Sequence, residues 1–285
     1  MYGCTSLYGC TSFLQGDELG LQNAWTAVTY GFVVRDVLVF AYGLAFGSFL
    51  TVVGDRIPQG LSLIHPPSHC SACGRRLHAW ELIPVFSWLA LRGRCHTCKS
   101  RIPLRYPILE LATGVLWVVT LHQVPIWPAR LAWFAFWLVL LAATATDLST
   151  MRIPNLLSLP GAVGVYGLFV LTHTRTWTHS LWGAGVGFGL LFLIHLLSKG
   201  RMGLGDAKLY LAIGAALGPW MSLESFVLAS FFGTLIGLPL RWSGRIGAGQ
   251  AIPFVPFITL GVVTTFLWGQ PLWQLYLQWT VYRAV

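Results

Sequence analysis

The chain has 285 residues, of which 55% are hydrophobic and only 9% charged, with a mean hydropathy of +0.67. Soluble globular domains carry roughly 25% charged residues, so the composition excludes an ordinary soluble enzyme, a disordered chain and, despite a net charge of +9, most nucleic-acid binders. Gly (31), Pro (15) and Trp (14) are abundant, as in proteins that span membranes.

Residues 1–35 hold Asp17 and Glu18 but no Lys or Arg before Arg35, so no signal peptide with a basic n-region is expected. This segment reads as an N-terminal exterior lead. It contains a duplicated YGCTS at 2–6 and 8–12, whose Cys4 and Cys10 are either incidental or a disulfide pair. The first apolar span is 36–54. Residues 55–105 form the one polar insert. Further apolar runs follow at 106–124, 128–146, 156–173, 178–198, 207–220, 222–240 and 252–269, within the 106–285 core. A transmembrane helix needs about 20 apolar residues, so the expected fold is an all-α polytopic membrane protein of about eight transmembrane helices with a small insert.

The 18 Lys and Arg test that count. Eight lie in the insert, from Arg56 to Arg105, and the alternate loops on the same side add Arg152, Lys199, Arg201, Lys208, Arg241 and Arg245. Arg35, Arg130, Arg175 and Arg283 fall on the other side. Basic residues collect in cytoplasmic loops. The insert is therefore expected to face the cytoplasm, with both termini outside.

Within the insert, Cys70-Ser-Ala-Cys73 and Cys95-His-Thr-Cys98 form two CxxC pairs. Each pair can turn two sulfurs toward one point, and together they would complete a tetrahedral thiolate site for zinc. Four sulfurs leave no open position for water, which points to a structural role. Two redox dithiols, or cysteines that bind nothing, are the alternative readings of the same spacing.

Nine acidic residues are few enough to inspect singly. Asp147 and Asp206 stand beside apolar spans on the same side of the membrane, where ionisable groups are costly and mark functional sites. Asp206 lies in Met202-Gly-Leu-Gly-Asp206-Ala-Lys208, where Gly203 and Gly205 remove side chains beside the carboxylate. Gly203, Gly205 and Lys208 are candidates for a substrate loop. Two adjacent carboxylates share a proton and can then hydrolyse a peptide bond. Helix capping, or pairing with Arg152 or Lys208, is the other reading. A channel or assembly scaffold without enzymatic activity remains the alternative function.

The motifs resemble, over roughly residues 40–265, the type IV prepilin leader peptidases, also called prepilin peptidase/N-methyltransferases. The resemblance runs through Gly43-Leu-Ala-Phe-Gly47-Ser48-Phe49-Leu50, Arg56-Ile-Pro58 and the two CxxC pairs. It continues through Tyr106-Pro107-Ile-Leu-Glu110, Asp147 before Ile153-Pro154-Asn155, GLGDAK at 203–208, and Ile252-Pro253-Phe254-Val255-Pro256-Phe257. Thr51, where the family usually has Asn, and Ser-Ala inside the first CxxC depart from the pattern. The resemblance implies an inner-membrane aspartic endopeptidase with Asp147 and Asp206 as its catalytic pair and zinc on Cys70, Cys73, Cys95 and Cys98. Its expected substrates are prepilins or pseudopilins, cut after a Gly that follows a short basic leader. It also implies methylation of the new N-terminus from S-adenosylmethionine, for which Glu110 is a candidate binding residue, with packing as the equal alternative. No nucleic-acid partner is expected, and the oligomeric state is not legible.

Overall fold

The computed structural model describes residues 10–199, 202–244, 247 and 252–280, with side chains from 31 to 279 within those ranges. Cys4, Arg201, Arg245 and Arg283 lie outside the described residues, as do the side chains of Cys10, Asp17 and Glu18 and the disulfide considered for Cys4 and Cys10.

Helices sit where the apolar runs predict them. They are α1 (Cys10–Arg56), a short α2 in the insert (Phe86–Ala90), then α3 (Arg105–Gln123), α4 (Trp127–Thr150) and α5 (Asn155–Leu171). These are followed by α6 (Trp177–Leu197), α7 (Leu204–Leu217), α8 (Pro219–Trp242) and α9 (Val255–Thr280). No strand occurs among the described residues; two isolated bridges lie in the insert. Among the described residues, five helices are long and apolar enough to cross a membrane: Gly31–Gln59, Trp127–Thr150, Trp177–Leu197, Pro219–Trp242 and Val255–Trp279. Helix α5 is apolar but shorter. Helix α7 has 14 residues, about 21 Å at 1.5 Å per residue.

Three boundaries differ from the sequence reading. Helix α1 begins at Cys10, so much of the expected lead is continuous with the first span. No proline interrupts it before Pro58, where a 3-10 turn and left-handed Gly60 (φ 68°) end it. Helix α4 runs past Asp147 to Thr150 and stops at left-handed Met151, so Asp147 lies inside a helix. Helix α7 begins at Leu204, which places Asp206 in its first turn rather than in a preceding loop.

Helix α4 is the axis of the fold. It packs against α1, α3, α5, α7 and α9. Of its most apolar stretch 72% is buried, against 11% for α8. Trp133 and Trp137 on α4 pack against Phe266 of α9, the first tilted and the second edge-on, and Phe136 meets Phe169 of α5 edge-on. The Trp137 indole donates to Thr120 Oγ1 of α3 at 2.9 Å, so this aromatic cluster has a satisfied polar handle.

Small residues set the helix crossings. Gly43 and Gly47 of α1, spaced four apart, lie on α3. A Cβ on Gly43 would come within 2.6 Å of Gly114 Cα, and one on Gly47 within 2.6 Å of Glu110 Cα. A Cβ on Gly54 would meet Ala145 of α4 at 2.6 Å. Such stripes let helix backbones approach where lipid offers no hydrophobic drive. Ser149 Oγ donates to Gly54 O at 2.6 Å, and the Thr144 and Thr259 hydroxyls meet at 2.7 Å. These bonds fix the C-terminal half of α4 against α1 and α9, and with it Asp147.

Candidate active site and metal centre

The insert is built from two turns of the same design. In the first, the Cys70 amide donates to Arg75 O and the Gly74 amide returns to Cys70 O; in the second, Cys95 donates to Ser100 O and Lys99 returns to Cys95 O. The residue after each second cysteine is left-handed, Gly74 at φ 69° and Lys99 at φ 59°. Each turn is closed by a bridge, His69 with Arg76 and Arg94 with Arg101. The result brings four sulfurs within 4.8 Å of one another, with Cys70 Sγ and Cys98 Sγ 3.8 Å apart. A tetrahedral zinc site with Zn–S of about 2.3 Å has edges of about 3.8 Å, so the donor set and its spacing fit a four-sulfur metal site.

The cluster's electrostatics are uneven. The Cys73 amide and then the Ser100 hydroxyl lower the Cys70 thiol to about 6. The Arg75 amide favours the Cys73 thiolate, but desolvation and the Cys70 and Cys98 sulfurs outweigh it and push that thiol up to about 11. Beneath the turns, the Arg75 guanidinium meets the buried Glu81 carboxylate at 2.7 Å and holds it below the usual carboxylate range. Glu81 also accepts from the His78 amide at 2.8 Å. Arg75 and Glu81 were not singled out in the sequence; only their nearness to the first CxxC pair marked them.

Glu110 is buried in α3 and accepts from the Val85 amide at 2.6 Å. Val85 precedes α2 with φ 61° and ψ −50°, a positive φ that is rare for a β-branched residue. A buried carboxylate on the bundle therefore anchors a strained turn of the insert. Asp55 ties the end of α1 to the start of α3, accepting from Arg105 at 2.8 Å and from the Tyr106 hydroxyl at 2.6 Å.

Asp147 and Asp206 line one cavity of about 720 Å³, together with Arg152, Gly203, Gly205 and Phe254. Asp147 Oδ2 accepts from the Val255 amide, the first residue of α9, at 2.9 Å. Asp206 occupies the first turn of α7. Each carboxylate thus lies at a helix N-terminus, one on its own helix and one on a neighbour, where free amides favour negative charge. Neither forms an ion pair among the described residues.

The other candidates separate. Gly203 is uncrowded, since a Cβ there would come no closer than 3.8 Å to Asp206 Oδ2. Gly205 is packed, since a Cβ would meet Ile153 at 3.2 Å. Gly205 therefore admits the chain leading into α5 rather than leaving open space beside the carboxylate. Lys208 Nζ donates to Asn155 Oδ1 at 2.7 Å, tying α7 to α5 instead of pairing with Asp206. Glu110 does not line the aspartate cavity.

The family model "Bacterial Peptidase A24 N-terminal domain" matches residues 41–124, and "Type IV leader peptidase family" matches residues 133–238. The chain is similar to proteins named prepilin leader peptidase/N-methyltransferase. The one from Bacillus subtilis (strain 168) is 33% identical over 241 residues, 85% of this chain and 97% of that protein. The one from Burkholderia pseudomallei (strain 1026b) is 34% identical, covering 90% and 92%. The one from Aeromonas hydrophila is 34% identical, covering 84% and 93%. No solved structure matches the chain. A pair of aspartates on one cavity, a four-cysteine insert and matches running nearly end to end lead to one conclusion: this chain belongs to the type IV leader peptidase family.

Proposed function

We propose that the protein is a membrane endopeptidase that removes the basic leader from prepilins or pseudopilins, with Asp147 and Asp206 as its catalytic residues. The observation that carries this reading is the one cavity lined by both carboxylates, far apart in sequence and, among the described residues, in no ion pair. Two such carboxylates share a proton. The ionised one takes a proton from water as its oxygen attacks the scissile carbonyl. The protonated one donates a hydrogen bond to the carbonyl oxygen and stabilises the tetrahedral intermediate. On collapse, the C–N bond breaks and the new amine receives a proton from the dyad. Uncrowded Gly203 leaves room for an extended peptide beside Asp206.

The charge distribution orients this chemistry. Most Lys and Arg flank the end of the bundle that carries the insert and the cavity, which we assign to the cytoplasmic face of the inner membrane, in contact with the lipid bilayer. A basic leader, which cannot cross the bilayer, would be read there. We assign zinc to Cys70, Cys73, Cys95 and Cys98, where it would staple the two turns and take no part in bond cleavage.

The relatives' names join leader removal to N-methylation, and we extend both to this chain, with S-adenosylmethionine as methyl donor. Glu110, its candidate ligand, already holds the Val85 amide, so the residues present do not mark its site and no step is assigned through it. The test is to incubate the purified protein with a synthetic prepilin, with and without S-adenosylmethionine, and to weigh the products. A leader-free product that gains one methyl group only with the donor is expected; an intact substrate in both arms overturns the reading.

A further inference from the structure

A second polar cavity, of about 230 Å³, lies at the other end of α7 from the aspartates, beside Leu217. Arg175 reaches it from the α5–α6 loop, His179 from the first turn of α6 and Glu224 from α8, with Gly269 of α9 in its wall. None of these residues belongs to the aspartate cavity or the insert. Glu224 Oε1 and His179 Nδ1 are buried and have no hydrogen-bond partner. Leaving a buried acceptor unpaired is costly, so these two atoms are suited to hold a polar ligand. Arg175 and Glu224 bring opposite charges into the same space, yet no ion pair joins them among the described residues.

Two glycines make the room. Gly218 (φ 85°) lies directly under the His179 ring, where any Cβ would overlap it, and a Cβ on Gly269 would stand 3.3 Å from Glu224 Oε2. Trp220 and Trp273 also line the cavity and stack with centroids 5.9 Å apart. The surrounding helices α6, α8 and α9 are candidate spans, and Trp collects where such spans meet the lipid headgroups.

A ligand complementary to this lining would present an anion to Arg175 and His179 and an N–H-bearing cation to Glu224. At headgroup depth, phosphoethanolamine has both. Phosphocholine has a quaternary cation with no N–H to donate, and phosphoglycerol has no cation. We infer that this cavity binds a phospholipid headgroup of the phosphoethanolamine class, phosphate on Arg175 and His179, ammonium on Glu224.

The test uses the full chain in detergent, supplied with equal amounts of phosphatidylethanolamine, phosphatidylcholine and phosphatidylglycerol, with retained lipid counted by native mass spectrometry. Phosphatidylethanolamine is expected to be retained about tenfold over phosphatidylcholine, the effect of one hydrogen bond between charged groups. Glu224→Gln is expected to bring that ratio near one, and Arg175→Gln to lower retention of all three. Prepilin cleavage by Glu224→Gln in detergent is expected to be unchanged, which separates this site from the peptidase reading. Equal retention of the three lipids by the unaltered chain, or a preference that survives Glu224→Gln, overturns the inference. If Glu224→Gln does not fold, the ranking by the unaltered chain decides alone.

Discussion

The four sulfurs and the two carboxylates of this chain are gathered in opposite ways. The sulfurs come from two short turns whose amide–carbonyl pairs repeat almost residue for residue, and only a four-residue 3-10 helix and one five-residue α-helix lie between them. The carboxylates sit on α4 and α7, brought to one cavity by packing through the whole bundle. The first centre depends on local backbone conformation, left-handed at Gly74 and Lys99. The second depends on close crossings of distant helices at Gly43, Gly47 and Gly54. A change that damages one is therefore expected to spare the other.

The largest expected effect is chemical. Asp147→Asn or Asp206→Asn should each reduce prepilin cleavage by about 10³-fold, within the range for lost general acid–base catalysis, while zinc content and thermal unfolding stay as before. Next, Cys95→Ser removes the most buried ligand. It should abolish stoichiometric zinc, measured by metal analysis, while far-UV circular dichroism still reports an intact bundle. Loss of helicity together with the metal would break the comparison, because the bundle would then need the insert to fold.

Gly47→Leu tests the reverse direction. The added side chain meets Glu110 Cα and the Thr113 hydroxyl, and overpacking of this kind costs about 1–3 kcal/mol. The midpoint of thermal unfolding should fall and cleavage with it, with zinc retained.

The smallest effect belongs to the Arg75–Glu81 pair. Glu81→Gln should speed zinc loss to a chelator by about tenfold, the scale of a lost outer partner at a metal site, with cleavage unaffected. Because Arg75 holds the Glu81 carboxyl below its ordinary range, the carboxylate is ionised both in the folded insert and in the unfolded chain above that range. The gap between the two proteins should thus stay constant from pH 8 to about pH 6, and it would close only as pH falls through the lowered value.

The same contrast explains what the sequence disclosed. Apolar runs of about 20 residues announced the long helices, and two CxxC pairs announced a cluster that turn chemistry alone assembles. The two aspartates stood out because acids are scarce in this chain. The sequence did not show that Asp147 lies inside α4. Nothing breaks that helix before Met151 turns left-handed, and such a turn has no strong sequence mark when the residue is not glycine. Nor did Lys208 disclose its partner, because Asn155 meets it only after α5 folds back against α7. Glu110 reads in the sequence as a candidate cofactor ligand or a packing residue; its bond to the Val85 amide is made where the backbone takes φ 61°, which a valine does not advertise.

The central claim is that Asp147 and Asp206 act as one device. It is tested most directly by kcat/KM for a synthetic prepilin with Asp147→Asn, Asp206→Asn and the double variant. Residues that act as a unit are grossly non-additive, so the double variant should cleave about as slowly as either single one. Losses that multiply, or a single variant that cleaves at the unaltered rate, would contradict it.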